Sequence, residues 1–368
     1  MAPGRVRARG EEIRRFILDR VESAPTEIAR LTADKFGISR QGANKHLDKL
    51  VGQGNLIQAG ERRQRVYQLQ PLVEWWNWYQ LADSPKEDLV WRADVEHLLE
   101  ALPANVLDIW HYGFTEMFNN VLDHSEGTRA VVYVERTPTT TTIRIQDDGI
   151  GIFKKIQQRF GLDDESHAVL ELAKGKLTTD PQHHTGEGIF FTSRMMDRFV
   201  IMSGEVYFSH QFGDPRDWIL AGDKAPKCGT YIAMQLNNHT ARTERKIFDA
   251  FASEEEHYGF TKTIIPVRLA QYGDDKLISR SQAKRMLARI DRFKTVVLDF
   301  DGVETIGQAF ADEAFRVFAA EHPGIELIAI NAIEPVQQMV SRATTALAEQ
   351  RNALLHIADP VTQLKVNK

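Results

Sequence analysis

Cysteine is almost missing from this sequence: Cys228 stands alone among 368 residues. A single thiol excludes a disulfide within the chain and a cysteine-rich zinc site. It fits a reducing compartment, so the expected location is cytoplasmic. Long apolar runs are missing too. No stretch approaches the roughly 18 residues that span a bilayer. The basic N-terminus, MAPGRVRARGEEIRR, is followed by no apolar segment, so neither a secretory signal nor a membrane partner is expected. There is no Walker A phosphate loop, and the glycines at 149 and 151 lack the third glycine of a dinucleotide fingerprint. The composition, 42% hydrophobic and 26% charged, is that of a chain able to build two or three packed domains.

The formal charge of −5 is unevenly spread. Residues 1–70 carry 14 Lys and Arg against 8 Asp and Glu, a net of +6, which leaves −11 for the rest. A basic module on an acidic body points to a polyanionic partner for the N-terminus alone. Residues 11–70 read as three helices and a hairpin. Ile13, Phe16, Ile17 and Val21 form one stripe, and Thr26 is the expected cap of a second helix that stops at Gly37. Ser39 caps a third helix carrying Ala43, Leu47, Leu50 and Val51, and Leu56–Ile57 and Val66–Tyr67 flank a turn. Residues 71–95 hold four tryptophans and read as an aromatic connector for domain packing or dimer contacts. Residues 96–240 follow a helix–strand–strand–loop–helix–strand order. Residues 255–368 alternate the strands VVLDF and IELIAI with helices at 281–290, 309–320 and 336–347, an α/β pattern.

Three segments between residues 116 and 188 carry chemistry. In FTEMFNNVLDHS, Glu116, Asn120 and His124 share one helix face, while Phe114, Met117, Phe118 and Val121 can anchor the others. A carboxylate, amide and imidazole in line suit a Mg2+ ion, phosphate oxygens and an activated water; the alternative is a solvent-facing stripe. In IRIQDDGIGI, an alternating strand ends in a carboxylate followed by two glycines. That arrangement lets backbone approach a flat ligand while the acid accepts a hydrogen bond from an exocyclic amine. In HHTGEGIFFTSRMMDRF, Gly186 and Gly188 open a helix whose first amides can bind phosphate. His183 and His184 lack a third ligand at metal spacing.

In these motifs and their order, residues 96–240 resemble the GHKL superfamily of gyrase, MutL, histidine kinases and anti-sigma factor kinases. The resemblance implies an α/β sandwich that binds ATP and Mg2+. It makes Glu116 the general base, Asn120 the Mg2+ ligand and Asp147 the acceptor for adenine. Gly149 and Gly151 match the first glycine box, Gly186 and Gly188 the second, with Thr185 beside them, and Thr230 supports adenine. Residues 153–185 become the ATP lid, with Lys174 and Lys176 near the phosphates, and Lys262 is a candidate lysine from the following domain; its alternative is a surface lysine on a strand edge.

Residues 1–70 resemble winged-helix regulators. That likeness directs Arg40, Gln41, Asn44 and Lys45 to the major groove of double-stranded DNA, and Arg62, Arg63 and Arg65 of the wing to phosphates or the minor groove. A winged helix used for protein contacts is the alternative. The C-terminal region resembles the STAS-like domains related to anti-sigma factor antagonists through VVLDFDGVETIGQAFADEAFRVF. Gln308 stands where that family has a phosphorylatable serine, and the domain implies a protein partner. The expected whole is a multidomain α/β regulator of transcription, homodimeric, in which ATP binding and slow hydrolysis control DNA binding. The competing expectation is a serine/threonine protein kinase of the anti-sigma type.

Overall fold

The computed structural model describes residues 3–60, 64–177, 186–213, 228–252, 259–271 and 276–358. The chain divides into two compact units. One comprises residues 1–149, 196–199 and 231–242, the other residues 150–195, 200–230 and 243–368. Both are α/β.

The first unit opens with α1 (Pro3–Arg20), α2 (Ile28–Phe36), α3 (Arg40–Gly52) and the antiparallel pair β1 (Leu56–Ala59) and β2 (Val66–Leu69). Ile13, Ile17 and Val21 meet Ile28, Leu47, Leu50, Leu56, Tyr67 and Leu69 in one buried cluster, so the helical stripe and the hairpin share a core. Gly37, with φ of 60°, ends α2 in the left-handed conformation that costs glycine little. Ser39 is extended and its hydroxyl accepts the Gly42 N–H at 3.1 Å, capping α3. Thr26 does not cap α2. A turn closed by the Glu27 N–H on the Ala24 carbonyl puts helical backbone at Glu27, and no side chain caps the helix.

The aromatic segment is not a connector. β3 (Val73–Gln80) is a full strand, antiparallel to β4 (Arg129–Arg136) from Val73↔Arg136 to Gln80↔Arg129. Its period of two is masked in the sequence because both faces carry tryptophan: Trp75 and Tyr79 turn inward, Trp76 and Trp78 outward. A helical run follows, made of α4 (Glu87–Val90), a wide turn (Trp91–Val95) and α5 (Glu96–Leu99). Next come α6 (Ala104–His124), β4 and β5 (Thr140–Asp147).

In the second unit lie α7 (Ile152–Phe160), α8 (Ser166–Lys174) and α9 (Gly188–Met195). Then β6 (Arg198–Ser203) starts in the first unit and continues in the second beside β7 (Val206–Gln211). β8 (Tyr231–Asn237) returns to the first unit, where the strand neighbours run β3-β4-β5-β8-β6. Ala130, Val132, Val134, Ile143, Ile145, Ile232, Met234 and Leu236 bury the inner face of this sheet, and α6 packs against β5 through a face of Ile109, Trp110, Phe114, Met117, Phe118 and Val121. That packing orients the opposite face of α6, which carries Glu116 and Asn120.

The rest of the second unit is α10 (Glu244–Ala250), β9 (Lys262–Pro266), α11 (Arg280–Leu287), β10 (Thr295–Asp299), α12 (Gln308–Asp312) leading through a wide turn (Glu313–Phe318) into α13 (Ala319–Glu321), β11 (Glu326–Ile330) and α14 (Glu334–Ala358). β9, β10 and β11 form a parallel sheet in the order β11-β10-β9, with helices between the strands as parallel connections require. Among the described residues, no helix is long and apolar enough to cross a membrane.

The cap assignment has a direct test. Ser39→Ala should remove about 1 kcal/mol from α3, raising hydrogen exchange of its amides about five-fold, whereas Thr26→Ala should leave α2 unchanged.

Candidate functional site

In the first unit the site is built where α6 ends and β5 ends. Glu116, Asn120 and His124 are half-buried on α6, above the buried Met117, Phe118 and Val121. Among the described residues, no protein group bonds the Asn120 amide. Asp147 closes β5 with a buried carboxyl whose Oδ1 accepts the Gly149 N–H at 2.9 Å. Gly149 has no room for a side chain: a Cβ there would lie 2.0 Å from the Ser125 carbonyl oxygen and 3.0 Å from Asp147 Oδ1. Gly127 faces it from the other side, where a Cβ would lie 2.6 Å from Asp148 Oδ1 and 2.9 Å from the Gly149 nitrogen. Glycine at both positions lets the turn after α6 and the end of β5 touch backbone to backbone.

Asp148 holds that turn. Its carboxylate accepts from Thr128 N–H at 2.6 Å, Thr128 Oγ1 at 2.6 Å and Arg129 N–H at 2.9 Å. Desolvation pushes its pKa up, but the hydrogen bonds from Thr128 and Arg129 outweigh that and hold it below the ordinary carboxylate value. The sequence singled out Asp147 and the two glycines. It did not single out Asp148, Ser125, Gly127 or Thr128, whose roles exist only once the two chain ends meet.

In the second unit, Gly151 has φ of +87°, and a Cβ there would lie 2.3 Å from Ser203 Oγ. Ser203 Oγ donates to the Gly229 carbonyl at 2.9 Å. Thr230, buried, accepts the Ile152 N–H at 3.0 Å and so caps α7, whose own N-cap position is Gly151. Gly186, φ +74°, crosses the Leu177 backbone within 2.5 Å of where its Cβ would be, and Gly188 begins α9. Between them, burial raises the pKa of Glu187 above the usual range while Lys176 opposes it. Thr185, His183 and His184 lie outside the described residues.

The two lysines expected beside phosphates, Lys174 and Lys176, both have protein partners in the second unit. Lys174 is buried, and its Nζ donates to Glu171 at 2.7 Å, to the Ala288 carbonyl at 2.9 Å and to the Arg285 carbonyl at 3.2 Å, which uses all three protons. Burial pulls its pKa down, while Glu171 pulls it up. Glu171 also meets Arg289 at 3.2 Å. Lys176 donates to the Arg292 carbonyl at 3.3 Å and lies over the rings of Phe293 and Phe260 at 5.0 and 5.3 Å. The reason is that residues 166–174 are a helix buried from His167 to Lys174 against β9, rather than an open lid. Lys262 is half-buried on β9, an outer strand of its sheet.

On α3, Arg40, Gln41 and Lys45 are exposed and Asn44 is half-buried; Arg65 is half-buried next to β2. Arg62 and Arg63 lie outside the described residues. Among the described residues, no three His, Cys, Asp or Glu side chains gather to hold a metal ion.

Lys174→Met should therefore act on stability. It leaves two carbonyls without a donor and weakens a buried ion pair, for a loss of about 2–4 kcal/mol softened by Arg289. Thermal unfolding measures the loss; nucleotide affinity in the folded variant should stay within about two-fold of wild type, since a direct phosphate contact would be worth more than that.

Residues 282–337, from α11 to the start of α14, match the model of a STAS-like domain of unknown function (DUF4325). No curated protein matches the chain. The chain is thus a multidomain α/β protein with a STAS-like domain at its C-terminal end.

Proposed function

We propose that this chain is an ATP-binding regulator of transcription: a GHKL-type nucleotide domain sharing a chain with a winged-helix DNA-binding module and the STAS-like domain. The observation that carries the reading is the glycine clasp at Gly127 and Gly149, which sets the Asp147 carboxyl at the end of α6, the helix that presents Glu116 and Asn120. Asp147 is suited to accept a hydrogen bond from an exocyclic amine, with Gly149 letting the chain turn tightly beside that carboxyl. Asn120 offers an amide oxygen to Mg2+, and Gly186 and Gly188 offer backbone amides to phosphate. Bound Mg2+ would neutralise phosphate charge and orient the terminal phosphate. Glu116 is the base that takes a proton from the attacking water.

The N-terminal three helices and hairpin support DNA binding through the exposed Arg40, Gln41 and Lys45 of α3 and the net charge of +6 over residues 1–70. Double-stranded DNA and a second copy of the chain are the proposed partners. The lid of the GHKL reading is here tied by Lys174 to carbonyls at the end of α11, so nucleotide-dependent movement of α8 would reach the STAS-like domain directly.

A competing reading, which the STAS-like domain would suit, is an anti-sigma-type protein kinase. Gln308, first residue of α12, offers no hydroxyl at the acceptor position, which argues against self-phosphorylation there and for a separate protein as substrate. Labelled ATP separates the readings: free phosphate means ATPase, labelled partner means kinase.

Calorimetry with Mg-ATP should show binding by wild type and its loss in Asp147→Asn. Glu116→Ala should bind ATP and turn it over about 10²–10⁴-fold more slowly; an unchanged rate would remove Glu116 as the base. In DNA titrations, Arg40→Ala should relax base preference, and Arg62→Ala or Arg63→Ala should lower the salt slope by about one each. A salt-independent affinity would leave only protein contacts for this module.

A further inference from the structure

The outer face of the first unit's sheet is open and unusually aromatic. Strand register arranges it in rows: Glu74 beside Glu135 and Thr142, then Trp76 beside Tyr133 and Arg144, then Trp78 beside Val131 and Gln146, then Gln80 beside Arg129. Trp76, Trp78 and Val131 are 65%, 50% and 40% exposed. Arg129 lies over the Trp78 ring at 5.3 Å and Arg144 over Tyr133 at 4.7 Å, which holds the aromatic rings in fixed orientations. Two neighbouring tryptophans left in water on a rigid sheet are an interaction surface.

The charges on this face identify what covers it. The acidic pair, Glu74 and Glu135, occupies one end of the strands and Arg129 the other. Six residues separate the two rows, about 20 Å at the rise of an extended strand. Two acidic and two basic side chains balance, whereas a single-stranded nucleic acid on an aromatic sheet needs an excess of positive charge. A two-fold axis lying in the plane of the interface, across the strands and between the two tryptophan rows, brings unlike ends together. Glu135 then faces Arg129 of the second copy, Trp76 faces its Trp78, and Tyr133 faces its Val131. The patch is its own complement, as a two-fold interface requires.

Edge-to-edge pairing fits less well. The Leu81 N–H bonds the Thr128 carbonyl across the ladder, so the even-numbered amides of β3 face the open edge. There Asn77 Oδ1 already accepts the Trp78 N–H at 2.9 Å, which blunts the edge at its middle.

We infer that two copies of the chain dimerise face to face through the outer surface of β3 and β4, with Trp76 and Trp78 at the centre and Glu135–Arg129 pairs at the rim. This gives the proposed dimer a surface, and it stands on the sheet face alone, so loss of the ATP reading leaves it intact.

Sedimentation velocity of the full chain, without nucleotide or DNA, tests it. Wild type should be dimeric. The double variant Trp76→Glu, Trp78→Glu should sediment as a monomer that still unfolds cooperatively, since both side chains are exposed, having lost only the concentration-dependent part of its stability. Arg129→Glu and Glu135→Arg should each weaken the dimer by about ten-fold or more, because like charges then meet. An equimolar mixture of those two single variants should restore it, because each rim pair in the mixed dimer is again of opposite sign. A monomeric wild type, a dimer that survives both tryptophan substitutions, or a mixture that fails to recover would overturn the inference. So would a wild type whose tryptophan fluorescence responds to oligo-dT rather than to self-association.

Discussion

The close approach of two backbones, at Ser125 and Gly149, governs the candidate site. The Ser125 carbonyl occupies the space a side chain on Gly149 would need, and Gly127 makes the same allowance on the opposite side. No other residue type permits this contact, because even a methyl group would lie 2.0 Å from an oxygen. Through it the end of α6 and the end of β5 become one corner. Asp148 then locks the corner with three hydrogen bonds, which leaves Asp147 to face inward. The buried face of α6 fixes the rotation of that helix and so the direction of Glu116 and Asn120. The polar line is a consequence of apolar packing.

The second unit has a different kind of constraint. A lysine taken out of water must find an anion and further acceptors, and Lys174 finds Glu171 and two carbonyls at the end of α11. Such an arrangement ties α8 to one position on the α/β layer that bears the STAS-like match. The aromatic cluster of Phe190, Phe260 and Phe293 adds an apolar tie between α9 and the start of the same layer. Together they join the segment after Gly151 to the C-terminal domain, so the two pack as a single body.

Much of this was legible in the sequence where one period or one residue type dominated. The Ser39 cap, the Gly37 stop, the hairpin and the strands VVLDF and IELIAI each depend on local chemistry, and each is found. β3 was hidden because tryptophans on both faces erase the alternation that marks a strand. The course of residues 153–177 was hidden for another reason. No local pattern marks Glu171 and Lys174 as a buried pair, since their contact at 2.7 Å is supported by two carbonyls and Arg289 from distant parts of the chain. In the site, Asp147, Gly149 and Gly151 announce themselves by spacing, whereas Asp148 and Gly127 acquire meaning only from a turn 20 residues distant in sequence.

The central claim is that the corner formed by α6 and β5 is where a nucleotide is recognised. Hydrogen exchange of the full chain, with and without Mg2+ and a non-hydrolysable ATP analogue, addresses it directly. The account predicts slower exchange at the amides of Gln146–Gly151 and of the last turns of α6, beginning at Asn120. Unchanged exchange at that corner, under conditions in which calorimetry detects the analogue binding, would contradict it.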